Sequence, residues 1–275
     1  MKGKELIKIV EKRLQDGGVF DHLEAEWLVA LALGKNRISE VVDLEISSDE
    51  KSRVEDIVSE RITGKPLSYI IGNAEFFGRE FEVDENVLIP RPETEILVEK
   101  VIEDVNGLSK NVKVLDLCTG SGAIGITIAL ETDASVTCSD VSEKAILVAA
   151  KNQDKLHSSC NIIQSDLFEN ITDKFDIIVS NPPYIKTADI QSLEVQVRDF
   201  EPMIALDGGE SGLEFYEKII SLAPKYLNQN GKIYFEIGID QSQMIVDMMK
   251  KDFEQICVIR DYNKIDRVII GKLRI

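Results

Sequence analysis

Apolar residues in the first part of the chain recur at helical spacing. "KELIKIVEKRLQDGG" places them every three or four positions and stops at Gly17-Gly18, as an amphipathic helix does at residues that tolerate left-handed backbone. Asp21 and Glu24 then stand as a capping box ahead of "HLEAEWLVALALG". A third segment, "SDEKSRVEDIVSERITGKP", has Ser48 or Asp49 as its cap and Gly64 and Pro66 as its stop. These segments predict a small helical bundle over residues 1–70. In "AEFFGREFEVDENVL", from Ala74 to Leu88, apolar and polar residues alternate on both sides of Gly78-Arg79, which predicts a β-hairpin linker over residues 71–88. Helical periodicity resumes after Pro90-Arg91-Pro92 in "ETEILVEKVIEDVNG" and opens a second domain, residues 89–275.

Beyond that point strand and helix patterns take turns. "VKVLDLC", "ASVTCSD", "CNIIQSD", "KFDIIVS" and "GKIYFEI" read as strands, separated mostly by helical stretches such as "SEKAILVAAKNQDKLH" and "LEFYEKIISLAPKYL". Such alternation predicts an α/β fold with a doubly wound, mostly parallel sheet. The last two strands, "EQICVIRD" and "DRVIIGK", have no helix between them, so a hairpin is expected to close the sheet with an antiparallel edge.

Composition narrows the partners. The 275 residues carry 32 basic against 49 acidic side chains, a net charge of −17, whereas nucleic-acid binding calls for a basic surface to replace phosphate counterions. No stable nucleic-acid binding is expected. The N-terminal segment has charges spaced through it, and no apolar run approaches the length of a bilayer span, so a cytoplasmic protein without a membrane partner is expected. The four cysteines show no CxxC pairing and the two histidines lie far apart, which predicts neither a metal site nor a disulfide framework.

Candidate chemistry sits at the strand ends. The first strand of the sheet runs through Asp116-Leu117-Cys118-Thr119-Gly120-Ser121-Gly122 into a helix. Glycines at such a crossover let backbone approach a ligand and leave helix N-terminal N–H groups free; the same turn also serves phosphates, flavins or plain packing. The second strand ends at Asp140, placed to accept from both hydroxyls of a ribose or to cap the next helix. The third ends in Ser165-Asp166-Leu167-Phe168, where Asp166 can accept from an adenine amine and Leu167 and Phe168 can cover the ring. In series these three turns outline an adenosine. The buried acid Asp116 beside the loop repels a pyrophosphate and suits the ammonium or sulfonium of S-adenosylmethionine.

The fourth strand ends in "SNPPYI", Ser180 to Ile185. Together with "DLCTGSGAIGI" it resembles the Rossmann-like S-adenosylmethionine-dependent methyltransferases that modify planar amino groups. An amide nitrogen is a poor nucleophile because its lone pair is delocalised, so positioning has to carry much of the task. The Asn181 side-chain oxygen and the Pro182 carbonyl can each accept one hydrogen of an NH₂ group and stabilise charge developing on nitrogen. Proline fixes φ and removes a competing N–H at Pro182 and Pro183, and Tyr184 offers a flat face for stacking.

The resemblance extends along nearly the whole chain. "LIPRPETEILVE", "QSDLF", "VSNPPYI", "VRDFEPMIALDGGESGLEFY" and "RDYNKIDRVIIGK" are similar to the peptide chain release factor N5-glutamine methyltransferases. The resemblance implies a seven-stranded Rossmann-like methyltransferase sheet with a helical N-terminal domain that docks the release factor. It implies S-adenosylmethionine as cofactor, S-adenosylhomocysteine as product, and as substrate the glutamine of a Gly-Gly-Gln tripeptide in class I release factors, acted on by a monomer. Cys118 departs from the general pattern, which has glycine there. Arg91, between two prolines, can steer the cofactor carboxylate or the partner backbone; Glu93 and Thr94 can cap the next helix; and "DFEPMIALDGG" is expected to border the substrate entrance, with Glu201 paired. The rivals are a DNA or RNA amino-methyltransferase acting on adenine N6, cytosine N4 or guanine N2, and a non-catalytic binding module.

Overall fold

The helical period of the first segment becomes α1 (Gly3–Asp16), with Leu6, Val10 and Leu14 buried on one face. In the computed structural model residues 1–19, 22–35, 37–108 and 111–274 are described. They form two compact units, Met1–Gly72 with Glu194–Phe200, and Asn73–Leu193 with Glu201–Ile275.

The first unit adds α2 (His22–Ala32), α3 (Ser48–Ile62) and α4 (Leu67–Ile71), around a core that includes Leu28, Val29, Val41, Val54 and Val58. The cap of α3 is Ser47, one residue before the expected pair. Its Oγ accepts from the Glu50 N–H while the Glu50 carboxylate accepts from the Ser47 N–H at 2.9 Å. The reciprocal box needs a hydroxyl three residues before a Glu or Gln, and Ser48 and Asp49 have Lys51 and Ser52 at that spacing. The expected partner Asp21 lies outside the described residues. Glu24 instead receives the Arg61 guanidinium, Nε at 2.7 Å and Nη2 at 3.1 Å, a two-point ion pair with both side chains largely removed from water. Residues 194–200 return to this unit, and their short helix α8 (Val195–Arg198) meets Gly64. A Cβ at Gly64 would stand 2.7 Å from the Val195 side chain.

The second unit begins with the hairpin β1 (Asn73–Phe76) and β2 (Arg79–Glu82), whose turn residues Phe77 and Gly78 both have positive φ, 52° and 69°, as the tightest hairpin turns require. The hairpin packs within this unit. Phe76 and Phe81 enter its core edge to face, the Phe77 N–H donates to Glu95, and the Glu82 N–H donates to Asn152.

After α5 (Thr94–Gly107), α/β alternation runs through β3 (Lys113–Leu117), α6 (Ala123–Glu131), β4 (Ser135–Asp140), α7 (Glu143–Leu156), β5 (Asn161–Gln164) and β6 (Phe175–Ser180). The short α9 (Met203–Leu206) follows, then α10 (Glu214–Tyr226), β7 (Leu227–Glu236), α11 (Ser242–Met249), β8 (Phe253–Arg260) and β9 (Asp266–Leu273). The seven-stranded sheet has the order β5-β4-β3-β6-β7-β9-β8. It is parallel from β5 to β7, while β9 pairs antiparallel with both β7 and β8. The expected terminal hairpin is present, but its last strand inserts beside β7, so the antiparallel strand is second from the edge and β8 is the edge. Strand periodicity sorts the core to two faces: Val114, Ile177 and Val179 pack with α5 and α6 on one side, and Leu115, Leu117 and Ile178 with α10 and α11 on the other.

Candidate functional site

From β3 the chain builds outward through β4 to β5, then returns to β6 and proceeds to β7 on the other side. This reversal at the β3/β6 pair is the topological switch point, where the loops after adjacent strands part and leave a crevice at their carboxyl ends. Leu117 is level with Ser139 and with Ser180, so the loops beginning at Cys118, Asp140 and Asn181 emerge side by side. A cleft opens there, about 960 Å³ with the solvent at its mouth included.

Of the residues expected to hold a nucleoside cofactor, Cys118, Thr119, Gly120, Ser121, Asp140, Asp166 and Leu167 line this cleft, with Asn181 and Pro183. The loop after β3 is left-handed at three positions, Cys118 (φ 61°), Gly120 (φ 55°) and Gly122 (φ 83°). Cys118 thus occupies, with a side chain, a conformation that suits glycine. Burial, with the Asp140 charge next in weight, pushes its thiol up, so the sulfur stays protonated and is no nucleophile.

Asp140 does not cap α7. Ser142 does, accepting the Ala145 N–H at 3.2 Å. Each Asp140 oxygen instead takes one backbone N–H, that of Gly120 and that of Ser142, both at 2.9 Å. The Val141 N–H also bears on the carboxylate, which leaves one of its roughly four acceptor positions for a ligand. Burial raises the Asp140 pKa, and those N–H donors pull it back.

Asp116, expected beside the ligand, does not line the cleft. Its Oδ2 accepts from Thr119 Oγ1 at 2.5 Å and from the Gly125 N–H at 2.9 Å, tying the loop to the start of α6, while Oδ1 is buried without a partner. Burial pushes its pKa up to about 7. Alternation along β3 explains the orientation, since Asp116 shares a face with Val114 against α6. Phe168 also turns away from the cleft, stacking on Tyr226 with ring centroids 4.5 Å apart, and Leu167 alone of that pair faces the ligand space, at φ 45°.

Asn181 and Pro183 line the cleft, Pro182 is buried, and Tyr184 stands behind them against Gly238. Burial raises the Tyr184 pKa to about 12, so the phenol stays protonated. Gln241 fastens the loop: its Nε2 donates to the Tyr184 carbonyl at 2.9 Å and to the Gly212 carbonyl at 3.1 Å. The segment containing "IALDGG" lies alongside, the Ile185 N–H donating to the Leu206 carbonyl at 3.0 Å and the Gly208 N–H to the Ile185 carbonyl at 2.8 Å. Ile204 and Ala205 of this segment line the cleft.

Arg91 lines the cleft and donates through Nη2 to both oxygens of buried Glu201 at 2.7 Å. Thr94 is not a helix cap. Its Oγ1 donates to the buried Glu236 carboxyl at 2.5 Å, and the pairing of Ser180 with Phe235 sets Glu236 and Asn181 at matching strand ends. Burial is the first cause of the rise of the Glu236 pKa to about 7. Sequence reading gave Thr94 only a capping role and passed over Glu236 and Gln241. A signal was present for Glu236, as the lone acid at the carboxyl end of the apolar strand "KIYF", next to the strand that carries Asn181.

A doubly wound sheet with its loops gathered around a switch-point cleft, and residues 92–198 matching the family model Methyltransferase small domain, define the class as a methyltransferase. Residues 5–72 match the model PrmC N-terminal domain. A solved methyltransferase from Pyrococcus furiosus superposes on 82% of this chain and 99% of its own at a TM-score of 0.56 and 19% identity. The T. thermophilus 16S rRNA N2 G1207 methyltransferase, solved with AdoMet and guanosine, covers 74% of this chain and 50% of its own at 0.55 and 19%. At such identities these two define the fold. A release factor glutamine methyltransferase of Clostridium acetobutylicum is 40% identical over 98% of both chains, and that of Geobacter sulfurreducens 38% identical over 91% of this chain and 89% of its own. The chain belongs to the release factor glutamine methyltransferase family.

Proposed function

We propose that this chain methylates the side-chain amide nitrogen, N5, of the glutamine in the Gly-Gly-Gln motif of class I release factors, with S-adenosylmethionine as methyl donor. The observation that carries the reading is that Asn181 and Asp140, emerging from the two strands that flank β3, line one cleft. The lining suits a cationic nucleoside. It has two acids, Asp140 and Asp166, and among the described residues Arg91 is its one basic side chain, already paired with Glu201. A pyrophosphate would find few cations there, whereas a ribose finds the Asp140 carboxylate and a ring finds Val141 and Leu167.

Bound there, S-adenosylmethionine would supply an electrophilic methyl group on sulfur and leave as S-adenosylhomocysteine. The protein's own part is orientation. Asn181 Oδ1 and the Pro182 carbonyl accept the two amide hydrogens, so the nitrogen faces the methyl donor and the charge developing on it meets fixed acceptors. Tyr184 backs this loop as a neutral phenol, and one amide proton passes to solvent as the N–C bond forms. The first unit's residues 1–70 dock the release factor, the protein acts as a monomer, and its setting is the cytoplasm, where translation factors work.

The test is incubation with labelled S-adenosylmethionine and, separately, an intact class I release factor, DNA and RNA. Label is expected on the release factor, mapped by mass spectrometry to the Gly-Gly-Gln glutamine and absent when that glutamine is alanine. Label on nucleic acid with none on release factor, or cofactor binding without transfer to any of the three, overturns the reading.

A further inference from the structure

Two stretches far apart in the chain wall the cleft. One is the glycine loop after β3, Thr119 to Ser121; the other follows the hairpin and supplies Asn86, Val87, Leu88, Pro90 and Arg91. A single side chain, Asn152, fully buried on α7, bonds to the base of both. Its Oδ1 accepts the Glu82 N–H at 2.6 Å, and its Nδ2 donates to the Glu82 carbonyl and to the Ser121 carbonyl, each at 2.9 Å. Both amide hydrogens are engaged. Turned the other way, the amide would set its NH₂ against the Glu82 N–H and its oxygen against two carbonyls, so the network admits one orientation.

Each end of this bridge leads into the cleft lining. On one side the Ser121–Gly122 peptide is held twice, its carbonyl by Asn152 and its N–H by the Thr119 carbonyl at 2.9 Å. Gly122 has φ 83°, and a glycine leaves such a peptide free to rotate unless something holds it. Ala149, one turn earlier on α7, packs on the same glycine, where a Cβ would come within 3.3 Å of it. On the other side Glu82, the last residue of β2, is gripped through both its N–H and its carbonyl, as a neighbouring strand would grip it. Just beyond, the Asp84 carboxylate takes the Asn86 N–H at 2.9 Å and the Asp84 carbonyl takes the Val87 N–H at 3.2 Å. The turn that carries Asn86 and Val87 to the cleft is thus fixed from Glu82 onward.

We propose that Asn152 is a positioning residue of the cofactor site: by bonding Glu82 and Ser121 through one amide, it sets the glycine loop against the segment that follows the hairpin, at the spacing S-adenosylmethionine requires. The proposal rests on the methyl-transfer reading above. Asn152 does not line the cleft and touches no ligand; it acts through the two backbones. The hairpin then has a second use. Besides adding Phe76 and Phe81 to the core, it gives α7 a fixed strand end from which to hold the loop.

Asn152→Asp keeps the shape and the acceptor for the Glu82 N–H, but it puts an oxygen where two carbonyls need a donor. Affinity for S-adenosylmethionine, read by calorimetry, should fall by about tenfold or more, the scale of leaving buried acceptors unpaired. Hydrogen exchange should quicken in peptides covering residues 118–124 and 82–91 and stay unchanged in α11 and β8. With intact release factor the KM for S-adenosylmethionine should rise, while the KM for release factor and kcat at saturating cofactor change less. Asn152→Ala leaves space for a water among the same three backbone groups; it should lose affinity in the same direction but less, and it carries the test if the Asp variant does not fold. Ile245→Val, a change in the buried core of α11 outside the cleft, sets the size of a purely structural effect. An affinity loss in the Asn152 variants no larger than in Ile245→Val, or exchange that quickens in the hairpin alone, would overturn the assignment. Affinity and exchange need no methyl acceptor. If the wild-type chain binds S-adenosylmethionine yet transfers nothing to release factor, the methyl-transfer reading falls and these two measurements still decide the role of Asn152; if it binds no S-adenosylmethionine, both fall.

Discussion

Asp116→Asn should make the protein gain stability as pH rises, relative to the native chain. In the folded protein burial moves the Asp116 pKa from 3.8 to about 7, so the native state holds a proton that the unfolded chain releases near pH 4. A group raised in this way contributes stability that is whole below the unfolded pKa and is lost as pH climbs through the folded one. Between pH 5 and pH 7 the loss runs at about 1.4 kcal/mol per pH unit, or roughly 3 kcal/mol over the window. Asparagine has no proton to lose there. It can also keep both native hydrogen bonds, because Thr119 and Gly125 donate to the same oxygen. Its NH₂ would take the place of Oδ1, which has no partner, at a cost of about 1–3 kcal/mol that does not vary with pH. The difference in unfolding free energy between variant and native chain should thus move by roughly 3 kcal/mol in the variant's favour from pH 5 to pH 8. Glu236 titrates with the same sign in both proteins and cancels. Urea unfolding at unit steps of pH measures it; a difference that stays flat, or that moves the other way, would refute the buried-acid account.

Asp140→Ala should weaken S-adenosylmethionine binding by about tenfold or more, because a charged acceptor of ribose hydroxyls is worth roughly 1.5–3 kcal/mol; calorimetry reads it, and unchanged affinity would reduce Asp140 to a brace for the Gly120 and Ser142 amides. Gly125→Ala should destabilise the second unit by at least about 1 kcal/mol despite alanine's better helix propensity. Its Cβ would run into Cys138 Sγ and stand 2.9 Å from Asp116 Oδ2, and the melting temperature should drop. A short free peptide carrying Gly-Gly-Gln should be a much poorer substrate than the intact release factor, since it lacks the remote contacts that offset ordering of the loop. Comparing kcat/KM for the two decides it, and equal values would remove the docking role from residues 1–70.

Period and punctuation carried most of the architecture, because the strands of a buried sheet are apolar runs and their ends are marked by Gly, Pro and Asp. What local pattern could not carry was order in space. The insertion of β9 between β7 and β8 depends on pairing partners far apart in the chain. So does the return of residues 194–200 to the first unit. The strand-end loops were legible because chemistry concentrates there, yet proximity in sequence was taken for orientation at two positions. Asp116 follows Leu115 on a strand, and alternation sends it to the α6 face while its backbone leads into the cleft. Phe168 adjoins Leu167, but a left-handed Leu167 turns the two side chains apart. Glu236 escaped notice, and Thr94 was read only as a helix cap, for the opposite reason: each is an ordinary strand end or helix start, and only the fold brings the two together.

The same logic explains why a rigid dipeptide stands where a reacting group must be met. Fixed acceptors help a transition state only if they need no rearrangement when charge appears, and Pro182-Pro183 removes motion from one side of the loop. The other side is removed by glycines distant in sequence. A Cβ at Gly208 would stand 2.7 Å from the Tyr184 Cα, one at Gly212 2.6 Å from the Tyr184 carbonyl oxygen, and one at Gly238 2.9 Å from the Tyr184 ring. The glycines of "DGGESG" and "EIGID" are therefore close-approach positions, letting two further segments lie directly on the Asn-Pro-Pro-Tyr turn. Gln241 then bonds across them, joining the Tyr184 and Gly212 carbonyls through one amide while its oxygen takes the Gly238 N–H at 2.9 Å. A loop held this way from three directions keeps its acceptors in place before substrate arrives, so binding energy from a large protein substrate can be spent on bringing one amide to it.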